Sequence, residues 1–152
     1  MILKKRSFSR LIAIQALYQY DFFSTKKSLD EIKNEIIDYY LGKNQNKKIS
    51  KLSNIVDINF LENLLNGIWI NLEKIDNIIK NIKTNVEITK VDLMLKQILR
   101  LGTLELVFIK NIPKNVTINE YVNITSQFYE KNVTNFINGV LEYIYQTKAI
   151  SC

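Results

Sequence analysis

The chain has 152 residues, 47% of them hydrophobic, and a formal net charge of +6. It contains no histidine, one cysteine and four glycines. Together these exclude a Ser-His-Asp triad, a Cys-His pair, a His- or multi-Cys-ligated metal, an internal disulfide and a glycine-rich phosphate loop of either common type.

The length is that of one ordinary domain, so residues 1–152 are read as a single domain. A lone Cys152 fits a reducing, cytoplasmic setting. The apolar runs are too short to span a membrane. The start resembles a secretion signal in charge only, because Gln15, Gln19 and Asp21 interrupt the apolar stretch and no small-residue cleavage site follows. Ile (24), Asn (18) and Lys (18) dominate in the manner of an AT-rich coding bias, so the placement of charge is more informative than its total. Lys4, Lys5, Arg6 and Arg10 all precede the first acid, Asp21. No pair of acids is placed for acid–base work. No catalytic residue, cofactor or metal is expected.

The elements are helical throughout, with one proline and no strand-like alternation. The first helix covers about 7–23. The second starts at Ser28, with Glu31 completing a capping box, and ends near Gly42. Residues 43–56, polar and basic, read as a loop. Asp57 caps the next run, whose apolar residues keep helical spacing to about 83; it is either one bent helix or two broken near 70–72. Thr89 caps a helix to about Ile109, and Pro113 breaks the chain after it. Thr117 with Glu120 reads as a second capping box, opening a helix to about 130. A last helix covers about 133–147.

On a helical wheel of 89–110, Met94, Leu95, Ile98, Leu99, Leu101, Leu106, Phe108 and Ile109 fill one half, with Asp92, Lys96, Thr103 and Lys110 opposite. Glu105 falls inside the apolar half. Either the helix is less buried than its pattern, or, as favoured here, Glu105 is a structural carboxylate satisfied by backbone N–H groups of a neighbouring turn. Gly102 on the same half permits close helix approach. The first helix is apolar almost all round, which suits a central helix or one partly covered by a partner. Tyr18 and Phe22, at i and i+4, are either core or a sticky patch. Arg6 and Arg10, also at i and i+4, project from one side of the helix start. They form either a solvated basic end or a polyanion site to which the helix dipole would add.

Four blocks carry a family resemblance. RSFSRLIAIQALYQYDFF resembles the arginine-rich opening of the bacterial antitermination-factor family NusB. VDLMLKQILRLGTLELVFIKNIP is similar to its fifth-helix block, with Leu99-Arg100 and Glu105-Leu106 in place. VTINEYVNITSQF resembles the INEYV block and NFINGVLEYI the closing block, in the right order. The resemblance implies an all-α fold of about seven helices in two small packed bundles. It implies binding to the boxA RNA of nascent ribosomal transcripts together with the ribosomal protein NusE, within an RNA polymerase antitermination complex.

By the same resemblance the RNA-facing residues are Lys4, Lys5, Arg6 and Arg10, joined by Lys131, Asn132, Thr134, Asn135 and Phe136 before and within the last helix. The arginine motif is thinner than usual, with Ser7 and Phe8 where further arginine is common. Asn132 stands where relatives often carry an acid, which removes a repulsive charge. Tyr18, with Phe22 beside it, maps to the NusE contact. Asn119, Glu120, Asn138 and Gly139, inside the last two blocks, are read as structural along with Glu105. A rival reading is the NusB-like N-terminal domain of a ribosomal RNA methyltransferase; a third is a helical adaptor without RNA contact. Monomer and homodimer both stay open.

Overall fold

A computed structural model describes residues 2–23, 26–41, 54–82 and 91–149. These form six α-helices: α1 (Ile2–Phe22), α2 (Leu29–Leu41), α3 (Ile58–Lys80), α4 (Leu93–Thr103), α5 (Lys114–Ser126) and α6 (Lys131–Ile144). Two π-helical segments extend them, π1 (Leu104–Phe108) after α4 and π2 (Tyr145–Ala149) after α6. No strand occurs among the described residues. The all-α expectation holds, with six α-helices where about seven were expected. The chain divides into two compact units, 1–69 and 70–152. Of the two readings left open for residues 58–83, the single helix is observed: α3 has no break near 70–72.

In the first unit, α1 and α2 pack together. Their buried residues recur at helical spacing: Ile12, Ala13, Ala16 and Leu17 on α1, and Leu29, Ile32 and Ile36 on α2. The start of α3 adds Leu61, Leu64, Leu65 and Ile68. Burying each such Leu or Ile stabilises the fold by about 1.5–3 kcal/mol. The Ser28 capping box forms as read: Glu31 N–H donates to Ser28 Oγ at 3.2 Å, and Ser28 N–H to Glu31 Oε2 at 2.7 Å. Asp57 caps α3 by accepting from Phe60 N–H at 3.0 Å. Gly42, where the second helix was expected to end, and the basic stretch 43–53 lie outside the described residues.

In the second unit, α4 and π1 sit at the centre. Every residue from Gln97 to Val107 is buried, so the helix is covered all round and not on one half only. Thr103, assigned to the polar half, is fully buried. Its hydroxyl has no hydrogen-bond partner among the described residues, whereas the buried Arg100 and Gln97 are paired. Arg100 is 4% exposed, and its Nε and Nη2 donate to the two oxygens of Asp76, each at 2.8 Å. Its Nη1 donates to Gln97 Oε1 at 3.1 Å. Gly102 packs closely under α6: a Cβ there would stand 2.6 Å from Leu141 Cδ2, so any side chain would force Leu141 to shift.

Two cap assignments are corrected. Asp92 caps α4, accepting from Leu95 N–H at 2.9 Å; Thr89 lies outside the described residues. The Thr117–Glu120 box does not open α5, because the helix starts three residues earlier behind Pro113. Pro113 sits at φ −58° and ψ 138°, and its carbonyl accepts from Val116 and Thr117 N–H at 3.0 and 3.2 Å. A residue ahead of the first turn needs no N–H, so proline suits this position. Thr117 is thereby carried inside the helix and buried.

Candidate nucleic-acid interface

The basic run Lys4–Arg10 is itself helical, since α1 starts at Ile2, about a turn earlier than expected. Lys5 and Arg6 are half-buried. Ser9 ties this end of α1 to the start of α3. Its buried Oγ accepts from Asp57 N–H at 3.0 Å and lies within donating distance of Asp57 O (2.8 Å) and Lys5 O (2.9 Å). Asp57 then uses its two carboxylate oxygens differently. Oδ1 caps α3, while Oδ2 stands 3.6 Å from Arg6 Nε. Phe60, one turn into α3 and 6% exposed, takes both arginines: the guanidinium carbons of Arg6 and Arg10 lie 4.8 and 4.9 Å from its ring centroid. The two arginines differ in access. The Arg6 side chain is 36% exposed, whereas Arg10 is 1% exposed. Arg10 therefore does not project to solvent beside Arg6, as the i, i+4 spacing suggested. The pairing geometry that puts both on one side also packs the inner one against α3.

At the other end of α1 the apolar character emerges at the surface. Tyr18, Phe22 and Phe23 are 40%, 61% and 53% exposed. Tyr18 and Phe22 stack at 6.0 Å between centroids and 10° between planes, and Phe23 meets Phe22 edge-on at 4.9 Å. Of the two readings left open for Tyr18 and Phe22, the surface patch is the one observed.

The residues expected near the last helix form the first turns of α6, in the second unit. Lys131, Asn132 and Asn135 are exposed, and spacings of three and four put them on one face. Phe136 is half-buried. Thr134 is not presented to solvent: it is 8% exposed, and its hydroxyl donates to Lys131 O at 2.8 Å. Asn132 also borders a depression of about 410 Å³ lined by Ser126, Gln127, Phe128, Tyr129, Glu130 and Val133. The turn carrying it is fixed to α4, because the Tyr129 hydroxyl reaches Asp92 Oδ1 at 2.8 Å and Oδ2 at 2.9 Å. No group of three or more metal-ligating side chains occurs among the described residues, and no helix there is long and apolar enough to cross a membrane.

Comparison with known proteins decides the family. The sequence profile of the NusB family matches residues 7–146. The chain belongs to the NusB family. It is similar to the transcription antitermination protein NusB of Rickettsia felis, 29% identical over 151 residues, covering 95% of this chain and 93% of that one. A solved T. maritima NusB superposes with a TM-score of 0.75 at 30% identity, covering 95% of this chain and 92% of that one. A solved complex of antitermination factors NusB and NusE with double-stranded RNA gives 0.71 at 23% identity, over 96% and 98% of the two chains, and shares the fold.

Against the NusB pattern, some residues marked in the sequence are placed differently. Asn119, Asn138 and Gly139 are exposed, and a Cβ on Gly139 would meet nothing within 4 Å, so packing does not require them. Glu120 is half-buried. Glu105 is fully buried and accepts from the Tyr121 hydroxyl, a side-chain partner that the sequence did not point to. Ser9, Asp57 and Phe60 were not singled out as site residues. Asp57 was legible as a cap, but no local signal tells that a residue 48 positions from Ser9 meets it.

Proposed function

We propose that this chain is an RNA-binding transcription antitermination factor that binds boxA of nascent ribosomal RNA together with NusE in an RNA polymerase antitermination complex. NusB family membership over residues 7–146 carries the reading. The solved NusB–NusE–double-stranded RNA complex names the same two partners for its own chain. Lys4, Lys5 and Arg6 at the α1 start, with Lys131, Asn132, Asn135 and Phe136 on α6, contact RNA. Arg10, buried behind Arg6, and Thr134 support these groups from within. Tyr18 and Phe22 meet NusE through the exposed aromatic end of α1. The protein acts by binding, carries out no reaction, and works in the cytoplasm where transcripts form.

The methyltransferase reading is not favoured. The Rickettsia felis protein is matched over 93% of its own length, which leaves that relative no room for a catalytic domain. The test is a titration of boxA RNA and a scrambled RNA of equal length at several salt concentrations, with and without NusE. The expected result is salt-dependent binding that NusE tightens for boxA more than for the scrambled strand. Equal affinity for both strands under all conditions overturns the reading.

A further inference from the structure

Resting on the reading of the α1 start as an RNA site, we infer that Asp57 competes with RNA phosphate for Arg6, so that binding exchanges one anionic partner of this arginine for another. Asp57 is the fixed member of the pair. Its Oδ1 accepts from Phe60 N–H at 3.0 Å, and its backbone N–H and carbonyl are both engaged by Ser9. None of these bonds needs Arg6. Arg6 is the less firmly bonded member: its guanidinium stacks on Phe60, but its Nε stands 3.6 Å from Asp57 Oδ2, longer than a charge-assisted hydrogen bond, and its side chain is 36% exposed. A phosphate offers the guanidinium a shorter, two-pronged contact than this one. Asp57, with its side chain 27% exposed, also lies where an incoming phosphate meets like charge. The acid thus reduces the gain from any phosphate that engages Arg6.

The test uses Asp57→Asn in the full chain. Asparagine is as good an N-cap as aspartate, so the bond to Phe60 N–H is retained while the charge facing Arg6 is removed. Ser9 bonds only the backbone of this residue and is unaffected. Affinity for a boxA RNA oligonucleotide should rise about three- to fivefold, the scale of a part-exposed ion pair. The dependence of log affinity on log salt should steepen by up to about 0.7. In an Arg6→Ala background the same substitution should change affinity less than about twofold, because the competition needs the arginine. Asp57→Ser, a second uncharged cap, should repeat the result if the asparagine variant melts early. An equal rise in both backgrounds overturns the inference in favour of general repulsion. No rise in the wild-type background, with Arg6→Ala alone weakening RNA binding, sinks the competition and leaves the RNA site standing. No effect of Arg6→Ala alone removes the RNA site and the inference with it.

Discussion

Glu105 is a fully buried carboxyl residue in the second unit. A carboxylate with no exposed surface costs several kcal/mol unless it is bonded, and the Tyr121 hydroxyl is one of the groups that bonds it. Glu105→Ala removes that acceptor and leaves a buried hydroxyl without it. The expected cost is about 1–3 kcal/mol, or a melting temperature lower by about 2–12 °C in a chain of this length. Glu105→Gln keeps an acceptor oxygen and should cost clearly less. Thermal unfolding followed by circular dichroism checks both; an alanine variant that melts like wild type would mean the bond contributes nothing. The glutamate itself was legible in the sequence, because it breaks an otherwise apolar half-wheel. Its partner was not, since Tyr121 lies 16 residues on, across a loop and in another helix. The same holds for Arg100. Its Asp76 partner is 24 residues away, and nothing local to either residue announces the pair.

At the scale of elements, local chemistry was readable at the starts of α2 and α3, but it missed Asp92 as the cap of α4. Ser28 with Glu31 and Asp57 act as their spacing implied. The reading failed at α5, where two capping signatures compete within five residues. Pro113 starts the helix first, so the later threonine becomes interior. α1 shows a different limit. An apolar pattern all round states that much of a helix is covered, but not which part is left for a partner. The part left exposed is its last turn, where Tyr18 and Phe22 form an aromatic cluster with Phe23. Aromatic residues at the centre of an interface are frequent anchors. Tyr18→Asp should therefore weaken NusE binding by about 2 kcal/mol or more. The isolated protein should melt within about 2 °C of wild type, because a substitution at an exposed position seldom costs more than about 0.5 kcal/mol. Calorimetric titration with NusE provides the check. Undiminished binding would move the contact off this turn, and a collapsed melting temperature would make Tyr18 part of the fold instead.

The whole molecule carries its basic groups in two separate compact units: Lys5 and Arg6 belong to residues 1–69, and Lys131 to residues 70–152. Phosphate contacts release counterions on binding, and the salt effects of independent contacts add. For single-stranded RNA each lost contact should flatten the slope of log affinity against log salt by about 0.7. Arg6→Ala and Lys131→Ala should therefore each lower the slope by about that amount, and the double variant by about 1.4. Neither substitution alters Tyr18, Phe22 or Phe23, so NusE binding alone should stay unchanged. The measurement is a set of boxA titrations at four or more salt concentrations on the three variants and wild type. A double variant whose slope equals that of one single variant would confine the RNA to a single unit. Because the slope counts contacts and not their individual strengths, it reports this division even where weakened packing around Phe60 alters the affinity itself.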